Sequence, residues 1–277
     1  MFEQHELDLN GVRYHTAQHG APKAVPLLLL HGFTGSSSSW ADLMPRFSKQ
    51  FSVNAVDILG HGRSASPPDF ERYTMPHVAA DLIALLDAWQ IEQTALLGYS
   101  MGGRLALYLA CHYPNRFSHL ILESSSPGLA SAEERAKRRQ SDEALADWIE
   151  ANGIEAFVAR WEALPLWASQ QQLSEDVRHQ LRQQRLQNNP VGLANSLRGM
   201  GTGAQPSLWA HLAMLTLPTL LIAGELDSKF VAINRQMVEQ LANGRLHIIP
   251  QAGHTTHLER PELFCTAVTA FLSESEK

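Results

Sequence analysis

One serine of this chain lies in a setting that favours chemistry at its hydroxyl group. Residues Gly98–Gly102 read G-x-S-x-G, with Ser100 at the centre, between a segment that predicts a strand and one that predicts a helix. Such a tight turn requires small neighbours and exposes the serine above the sheet, where the helix N-terminus favours negative charge. The alternative is a plain turn that happens to contain a serine, but the flanking elements favour a reactive Ser100.

A serine hydroxyl is inert near neutral pH until a base accepts its proton. In folds with this turn, the chain order is nucleophile, acid and then histidine, so His254, after the last predicted strand, is the expected base. Asp227 follows the penultimate strand and is the expected acid, which orients the imidazole and stabilises its charged form. Glu123, at the end of an earlier strand, is the alternative acid; otherwise we expect it to pair with a buried arginine.

The remaining histidines are not expected to take part in this chemistry. His257 stands in the run-up to the final predicted helix, where a surface or capping role is the simpler interpretation. Several others are expected to be solvated: His5, His15, His19 and His179.

An oxyanion at the reacting centre needs two hydrogen-bond donors. The N–H of Met101 is one, and the N–H of Phe33, in the loop His31–Gly35 after the first core strand, is the other. This loop could also be a plain glycine-rich turn, but its place after an apolar strand favours the catalytic role. We interpret a second loop, Asp57–Ser64, as structural.

Arg104 stands four residues after Ser100, in an otherwise apolar helical segment. A buried guanidinium needs a partner carboxylate. Glu123, Asp57 or the substrate can supply it, and these residues alone leave the three partners open.

A basic run favours the substrate as that partner. Residues 133–139 carry four cations and two anions. Three of the cations share one helical face: Arg135, Arg138 and Arg139. A solvated face paired with Glu134 and Asp142 is the ordinary interpretation, but this run begins a few residues after a core strand and can overhang Ser100. Arg185 is a further candidate, and because guanidinium groups bind carboxylates bidentately, we predict a polycarboxylate substrate.

Segments with strand and helix character alternate along most of the chain, which predicts a mostly parallel, twisted sheet flanked by helices. Residues 127–209 break this alternation, because they have helical composition and offer no convincing buried strand. We therefore predict one α/β core of residues 1–126 and 210–277, with residues 127–209 inserted as a helical lid. In the lid, Trp161 and Trp167 either form an apolar wall over the pocket or pack the lid on itself.

Composition excludes several classes of function. The 277 residues carry 22 Lys and Arg against 28 Asp and Glu, so the net charge is −6 and nucleic acid is not an expected partner. Two cysteines, Cys111 and Cys265, give neither a disulfide framework nor the spacing of a zinc site, and we predict no metal. The first ten residues lack the apolar region of a secretory signal, and no apolar run is long enough to span a bilayer. We expect a cytoplasmic protein with no membrane insertion.

These segments together resemble the α/β-hydrolase superfamily and, within it, the 2-succinyl-6-hydroxy-2,4-cyclohexadiene-1-carboxylate synthases of menaquinone biosynthesis. The broad resemblance covers nearly the whole chain through the segments LLLLHGFTG, DILGHGRS, GYSMGGR, GELDSKF and QAGH. The narrower one rests on more specific features: Gly98–Arg104, Pro127–Leu129, Glu134–Ala136, Arg138, Ser141–Asp142, Arg185, Asn188–Asn189 and GELDSKF.

The resemblance implies an α/β-hydrolase fold and a lyase that eliminates pyruvate from 2-succinyl-5-enolpyruvyl-6-hydroxy-3-cyclohexene-1-carboxylate. Ser100, activated by His254 and Asp227, is then a base rather than an acylated nucleophile, and the N–H groups of Phe33 and Met101 stabilise the enolate-like charge. Three arginines hold the substrate carboxylates and two aromatic residues line the pocket: Arg104, Arg138, Arg185, Tyr99 and Trp161. No cofactor, metal or obligate protein partner is implied.

Two other functions compete with this one. A serine carboxylesterase or carbon–carbon bond hydrolase acting on an anionic substrate would use the same triad and the same arginines. A non-catalytic binding module on a hydrolase scaffold is the rival from another class, because fold alone does not determine function. The intact set of Ser100, Asp227 and His254 argues against it.

Overall fold

A computed structural model describes residues 2–21 and 24–274 of the chain. Its centre is one eight-stranded sheet with the strand order β1-β2-β4-β3-β5-β6-β7-β8. The strands are β1 Glu3–Leu9, β2 Val12–His19, β3 Val25–Leu30, β4 Phe51–Val56, β5 Thr94–Tyr99, β6 Phe117–Glu123, β7 Thr219–Gly224 and β8 Gly244–Ile249. The β1–β2 hairpin is antiparallel and joins β4 antiparallel, whereas β4, β3 and β5 to β8 are parallel. The predicted fold class is confirmed.

Helices cover both faces of this sheet. Their bounds are α1 Met44–Phe47, α2 Met75–Ala88, α3 Met101–His112, α4 Ala132–Glu162, α5 Glu175–Leu186, α6 Pro190–Met200, α7 Ser228–Val238, α8 Thr256–Glu259 and α9 Pro261–Ser273. Strand β3 shows the arrangement, since Leu28 and Leu30 face the apolar layer under α2, α3 and α7, while Leu27 and Leu29 face the layer under α1 and α9. A strand buried on both faces has to be apolar at every position, which is how this segment reads.

The chain between β6 and β7 is built differently. Helix α4 begins at a capping box formed by Ser131 and Glu134 and is interrupted at Gly153, whose φ of 79° is left-handed. This segment has an apolar core of its own, in which Ile149 and Phe157 of α4 pack with Leu193 of α6. Part of the predicted core, residues 1, 22–23 and 275–277, lies outside the described residues.

Parallel strands bring their carboxyl ends to one edge of the sheet. The loops that follow β3, β5, β7 and β8 carry Phe33, Ser100, Asp227 and His254, so the fold brings these four residues to the same edge. None of the described helices is both long and apolar enough to cross a membrane.

Candidate active site

Ser100 occupies the sharp turn between β5 and α3. Its backbone has φ 50° and ψ −107°, a conformation that is rare for a residue with a side chain and exposes the hydroxyl. The turn closes tightly, because a Cβ on Gly102 would lie 2.3 Å from the carbonyl oxygen of Leu30. The N–H of Ser100 donates to the carbonyl oxygen of Glu123 at 2.8 Å, which ties the turn to the end of β6.

His254 lies between Ser100 and a carboxylate. Its Nδ1 is 2.6 Å from Oδ2 of Asp227, and its Nε2 is 3.0 Å from Oγ of Ser100. Since an ionised carboxylate only accepts hydrogen bonds, Nδ1 carries the proton and Nε2 of the neutral ring accepts from the serine hydroxyl. His254 and Asp227 are both buried. This is the geometry that a general base needs to accept a proton from Ser100.

The alternative acid, Glu123, is occupied elsewhere. Its Oε2 lies 2.7 Å from Nδ1 of His257. The expectation that Glu123 would pair with a buried arginine was therefore wrong, as was the surface role expected for His257, which is buried. His257 lies in α8, and its backbone N–H and Nδ1 both contact the Glu123 carboxylate at the end of β6.

His15 corrects another prediction, since it is buried rather than solvated. Its Nδ1 lies 3.1 Å from Oδ2 of Asp57. Burial raises the pKa of Asp57, but hydrogen bonds from His15 and from the N–H groups of Arg63 and Ser37 lower it to about 2. Asp57 is therefore a structural anchor that connects β4 to the loops around it.

A cavity of about 660 Å³ lies in front of Ser100. Eight of the ten predicted site residues line it: Phe33, Tyr99, Ser100, Met101, Arg104, Arg138, Trp161 and His254. Asp227 lies behind His254, where an orienting acid belongs. Arg185 lies outside this cavity.

Arg104 reaches the cavity without a carboxylate partner among the described residues. Its NH1 donates to the carbonyl oxygen of Met200 at 2.8 Å and to Oε1 of Gln205 at 3.0 Å. Neither Glu123 nor Asp57 pairs with it. Burial, together with the nearby charge of Arg138, lowers the pKa of Arg104 to about 10. A half-buried guanidinium with only neutral acceptors favours the arrival of an anion.

The basic run of α4 is divided between two roles. Arg138 lines the cavity, and its Nε donates to Oδ1 of Asp142 at 2.7 Å. Arg135 instead donates to the carbonyl oxygens of Leu129 and Ala130, where it closes the start of the helix. Arg138 therefore faces the cavity together with Arg104. It also forms the ion pair with Asp142 that was expected for a solvated helix face.

Arg185 occupies a separate place behind Trp167. It pairs with Glu162 at 3.1 Å and donates to Oε1 of Gln170 at 3.3 Å, and its guanidinium lies 5.4 Å from the centre of the Trp167 ring. It lines a second cavity of about 240 Å³. The two cavities share three wall residues: Phe33, Tyr99 and Trp167.

Aromatic rings form one wall of the main cavity. Trp161 packs edge-on against Phe33, with ring centroids 5.4 Å apart, and Trp167 lies 5.6 Å from Trp161. Trp167 also packs edge-on against His254 at 5.6 Å. Both interpretations of the two tryptophans hold, because the rings pack on each other and also face the cavity.

The two expected oxyanion donors come from different segments, the start of α3 and the loop after β3. The N–H of Met101 is the first of α3 and has no partner within the helix, as at every helix start. The N–H of Phe33 donates to no backbone acceptor in the described part of the chain. Both groups are therefore free to donate to an oxygen atom at the reacting centre.

Sequence reasoning missed a third cation of the main cavity, Lys229 in the first turn of α7. Its neighbour Phe230 packs on His254, with ring centroids 4.8 Å apart. Both residues belong to the GELDSKF segment, so their place two and three residues after Asp227 was the available signal. Within residues 2–21 and 24–274, no group of three or more metal-ligating side chains comes together.

Known proteins resemble this chain along most of its length. The α/β-hydrolase fold family matches residues 25–261. The putative 2-succinyl-6-hydroxy-2,4-cyclohexadiene-1-carboxylate synthase of Bacillus subtilis (strain 168) is 47% identical over 264 residues, covering 95% of this chain and 96% of that protein. The synthase of the same name from Escherichia coli O1:K1 / APEC is 35% identical over 247 residues, covering 88% of this chain and 92% of that protein.

A solved structure is similar in three dimensions. MenH from S. aureus superimposes with a TM-score of 0.91 and 38% sequence identity, covering 95% of this chain and 99% of that chain. The likeness therefore extends to the helical segment between β6 and β7 as well as to the sheet.

Proposed function

This chain belongs to the α/β-hydrolase fold family and, within it, to the 2-succinyl-6-hydroxy-2,4-cyclohexadiene-1-carboxylate synthases, and we propose that it works as a lyase with a serine–histidine–aspartate triad. The reaction eliminates pyruvate from 2-succinyl-5-enolpyruvyl-6-hydroxy-3-cyclohexene-1-carboxylate in menaquinone biosynthesis. The observation that carries this proposal is the presence of Arg104 and Arg138 on the wall of the cavity that Ser100 faces.

The bond changes follow from the structures of substrate and product. The proton on ring carbon 2, next to the succinyl ketone, is removed, and its electron pair forms the double bond between carbons 2 and 3. The double bond between carbons 3 and 4 moves to carbons 4 and 5, and the carbon–oxygen bond at carbon 5 breaks. The leaving enolpyruvate takes up a proton and becomes pyruvate, so the reaction consumes neither water nor an oxidant.

Ser100 and His254 carry the proton. Because Nε2 of His254 accepts from the Ser100 hydroxyl at 3.0 Å, the serine oxygen can take the carbon-bound proton while its own proton passes to the imidazole. Asp227 stabilises the imidazolium that forms. The imidazolium then supplies the proton that the enolpyruvate needs, which returns the triad to its starting state.

Negative charge develops on the succinyl ketone oxygen as the proton leaves. The N–H groups of Phe33 and Met101 are the donors we assign to this oxygen. Fixed backbone donors act without reorganisation, which is why they lower the barrier rather than merely bind the substrate.

The substrate carries three carboxylates, one each on the ring, the succinyl group and the enolpyruvyl group. We assign two of them to Arg104 and Arg138, which line the main cavity. We assign the third to Arg185, which a carboxylate reaches through the neighbouring cavity past Trp167. Tyr99 and Trp161 then bound the ring of the substrate.

The helical segment of residues 127–209 is, in this proposal, a lid over a core of residues 1–126 and 210–277. It supplies Arg138, Trp161 and Arg185, so substrate binding depends on its position over Ser100. The proposal retains a cytoplasmic location and requires no partner other than the small polycarboxylate substrate.

The test compares the wild-type protein with Ser100→Ala and Arg138→Ala. Each is given the enolpyruvyl substrate, with pyruvate release followed, and separately p-nitrophenyl esters. We expect rapid pyruvate release that is abolished in Ser100→Ala and weakened in Arg138→Ala, with slow ester cleavage throughout. Arg135→Ala is the matched control, because this residue lies on the same helix but closes its start on carbonyl oxygens.

Rapid ester cleavage without pyruvate release would contradict the proposed substrate and leave a serine esterase with the same triad. Absence of both activities in the wild-type protein would instead favour the binding module.

A further inference from the structure

Glu123 joins the two halves of the catalytic centre. It ends β6, is fully buried, and its carbonyl oxygen accepts the N–H of Ser100. Its side-chain Oε1 accepts the hydroxyl of Thr256 at 2.7 Å and the N–H of His257 at 3.0 Å. Its Oε2 binds Nδ1 of His257 at 2.7 Å. One residue therefore connects the nucleophile turn with the segment that directly follows His254.

A second carboxylate, that of Glu259 at the end of α8, binds the same segment. It accepts the N–H of Gly253 at 2.7 Å and that of Thr255 at 3.1 Å. The backbone N–H groups at positions 253, 255 and 257 thus all donate to carboxylate oxygens. Hydrogen bonds to charged acceptors are stronger than neutral ones, so the turn that carries His254 has little freedom to move.

Aromatic rings seal the Glu123 side of this arrangement. The ring of His257 lies 4.6 Å from that of Trp40 and 4.9 Å edge-on from that of Tyr99. The hydroxyl of Tyr99 in turn lies 2.9 Å from that of Thr255. A carboxylate so deeply buried is costly unless its hydrogen bonds are satisfied, and here Thr256 and His257 satisfy both oxygens.

We propose that Glu123 is a positioning residue, which fixes Nε2 of His254 over Ser100 by anchoring Thr256 and His257. It touches neither substrate nor reacting atoms. The inference rests on the proposed function only in its choice of reaction, because the hydrogen bond between His254 and Asp227 can be followed without any substrate.

The first measurement is steady-state kinetics of Glu123→Gln, which keeps the size of the side chain but removes its charge. We expect kcat to fall about 10- to 100-fold, as for small misplacements of a catalytic group, while KM stays within about twofold because no substrate contact is lost. Glu123→Asp retains the charge and should recover part of kcat.

The matched control is Asp81→Asn. Asp81 is also fully buried and also accepts hydrogen bonds from other elements, including those of Tyr14 and Arg72, but it lies in α2 and takes part in none of the contacts around Ser100 or His254. We expect it to lose stability while the folded fraction keeps the kcat of the wild-type protein. Rates are therefore compared per folded molecule.

The second measurement is proton NMR of the His254 Nδ1–H, identified by its loss in Asp227→Asn. In Glu123→Gln we expect this proton to exchange with water at least about tenfold faster, because the turn opens more often. The proposal would be overturned if Glu123→Gln kept both the kcat and the exchange rate of the wild-type protein. It would also be overturned if Glu123→Gln and Asp81→Asn lost kcat to the same extent and the exchange rate in Glu123→Gln did not change. If the wild-type protein releases no pyruvate, the proposed function fails, and the exchange rate alone decides the role of Glu123.

Discussion

The ring of His61 lies edge-on against the ring of Phe33, with centroids 5.6 Å apart and planes at 76°. His61 belongs to the loop after β4, and Phe33 is one of the two residues assigned to the oxyanion. His31, at the start of the Phe33 loop, lies 5.2 Å from His61, and its Nε2 accepts the N–H of Ile58. The loop Asp57–Ser64, interpreted above as structural, therefore packs against the loop that carries Phe33 and supports it.

His61 makes the stability of the protein sensitive to acid. Burial, together with the neighbouring His31, lowers the pKa of His61 to about 3, whereas a histidine in an unfolded chain has a pKa of about 6.5. Between these values the unfolded state binds the proton and the folded state does not. The stabilisation is complete above about pH 6.5 and is lost as pH falls towards 3.

We therefore predict that His61→Asn flattens this dependence. Urea unfolding at pH 6.5 and 4.5 should show the wild-type protein losing about 2 kcal/mol more than the variant over that interval. His77→Asn is the control, because that histidine is exposed at the start of α2. Equal pH dependence in the wild-type protein and His61→Asn would show that His61 is not the responsible group.

Arg185 and Arg182 provide a matched pair for the side cavity. Both lie on α5 and both pair with Glu162, but Arg185 is buried beside Trp167 and Arg182 is partly exposed. We predict that Arg185→Gln raises KM about tenfold, corresponding to about 1.4 kcal/mol of lost carboxylate binding, while Arg182→Gln changes it less than about twofold. Steady-state kinetics of pyruvate release checks this. Equal effects of the two variants would assign Arg185 to lid packing.

Lys229 is predicted to assist substrate binding. It lies in the first turn of α7 and lines the main cavity, as do Arg104 and Arg138. Lys229→Met should raise KM about three- to tenfold with little change in kcat, since an exposed ammonium contributes roughly 1 kcal/mol to binding an anion. Lys137→Met, an exposed lysine of α4 outside the cavity, is the control. A fall in kcat at unchanged KM would instead place Lys229 in the chemical step.

The sequence predicted the sheet and the reactive turn because both depend on local signals. Uniformly apolar runs predict strands buried on two faces, as Leu27–Leu30 shows, and the tight turn at Ser100 needs glycines at fixed positions. Contacts between residues that are distant in the sequence do not depend on such local signals. Glu123 ends one strand and Asp227 follows another, so the order along the chain favours Asp227 as the acid but leaves Glu123 as an alternative. The sheet order, which places β7 beside β8, brings Asp227 to His254.

The partner of Arg104 shows the same limit. Its acceptors, Met200 and Gln205, come from a segment about one hundred residues away, and one of them is a backbone carbonyl that no side-chain pattern can indicate. Similarly, His257 is buried against Trp40, Tyr99 and Glu123, which are all more than 130 residues away in the sequence. Long-range packing determines these contacts, and the periodicity of apolar residues along the sequence does not indicate which distant residues pack together.

Substitution of Gly98 tests whether the activity of Ser100 requires the tight turn between β5 and α3. A Cβ at this position would lie 2.4 Å from the carbonyl oxygen of Gly102 and 2.6 Å from Cα of Gly103, both of them backbone atoms of α3. Since a helix backbone cannot yield as a flexible side chain does, Gly98→Ala has to displace the start of α3 and with it Ser100. We predict a loss of about 1 to 3 kcal/mol in the free energy of unfolding and a fall in kcat of about 100-fold in the folded fraction.

The control for Gly98→Ala is Gly11→Ala, which also adds one methyl group but meets no atom within 4 Å. Its φ of +80° imposes strain of roughly 1 kcal/mol, so this variant should lose stability while keeping the wild-type kcat. Urea unfolding and pyruvate release are measured on both. A Gly98→Ala protein with wild-type kcat would mean that the turn tolerates a shift of α3. The 3.0 Å contact between Ser100 and His254 would then be maintained by the histidine side alone, through Asp227 and Glu123.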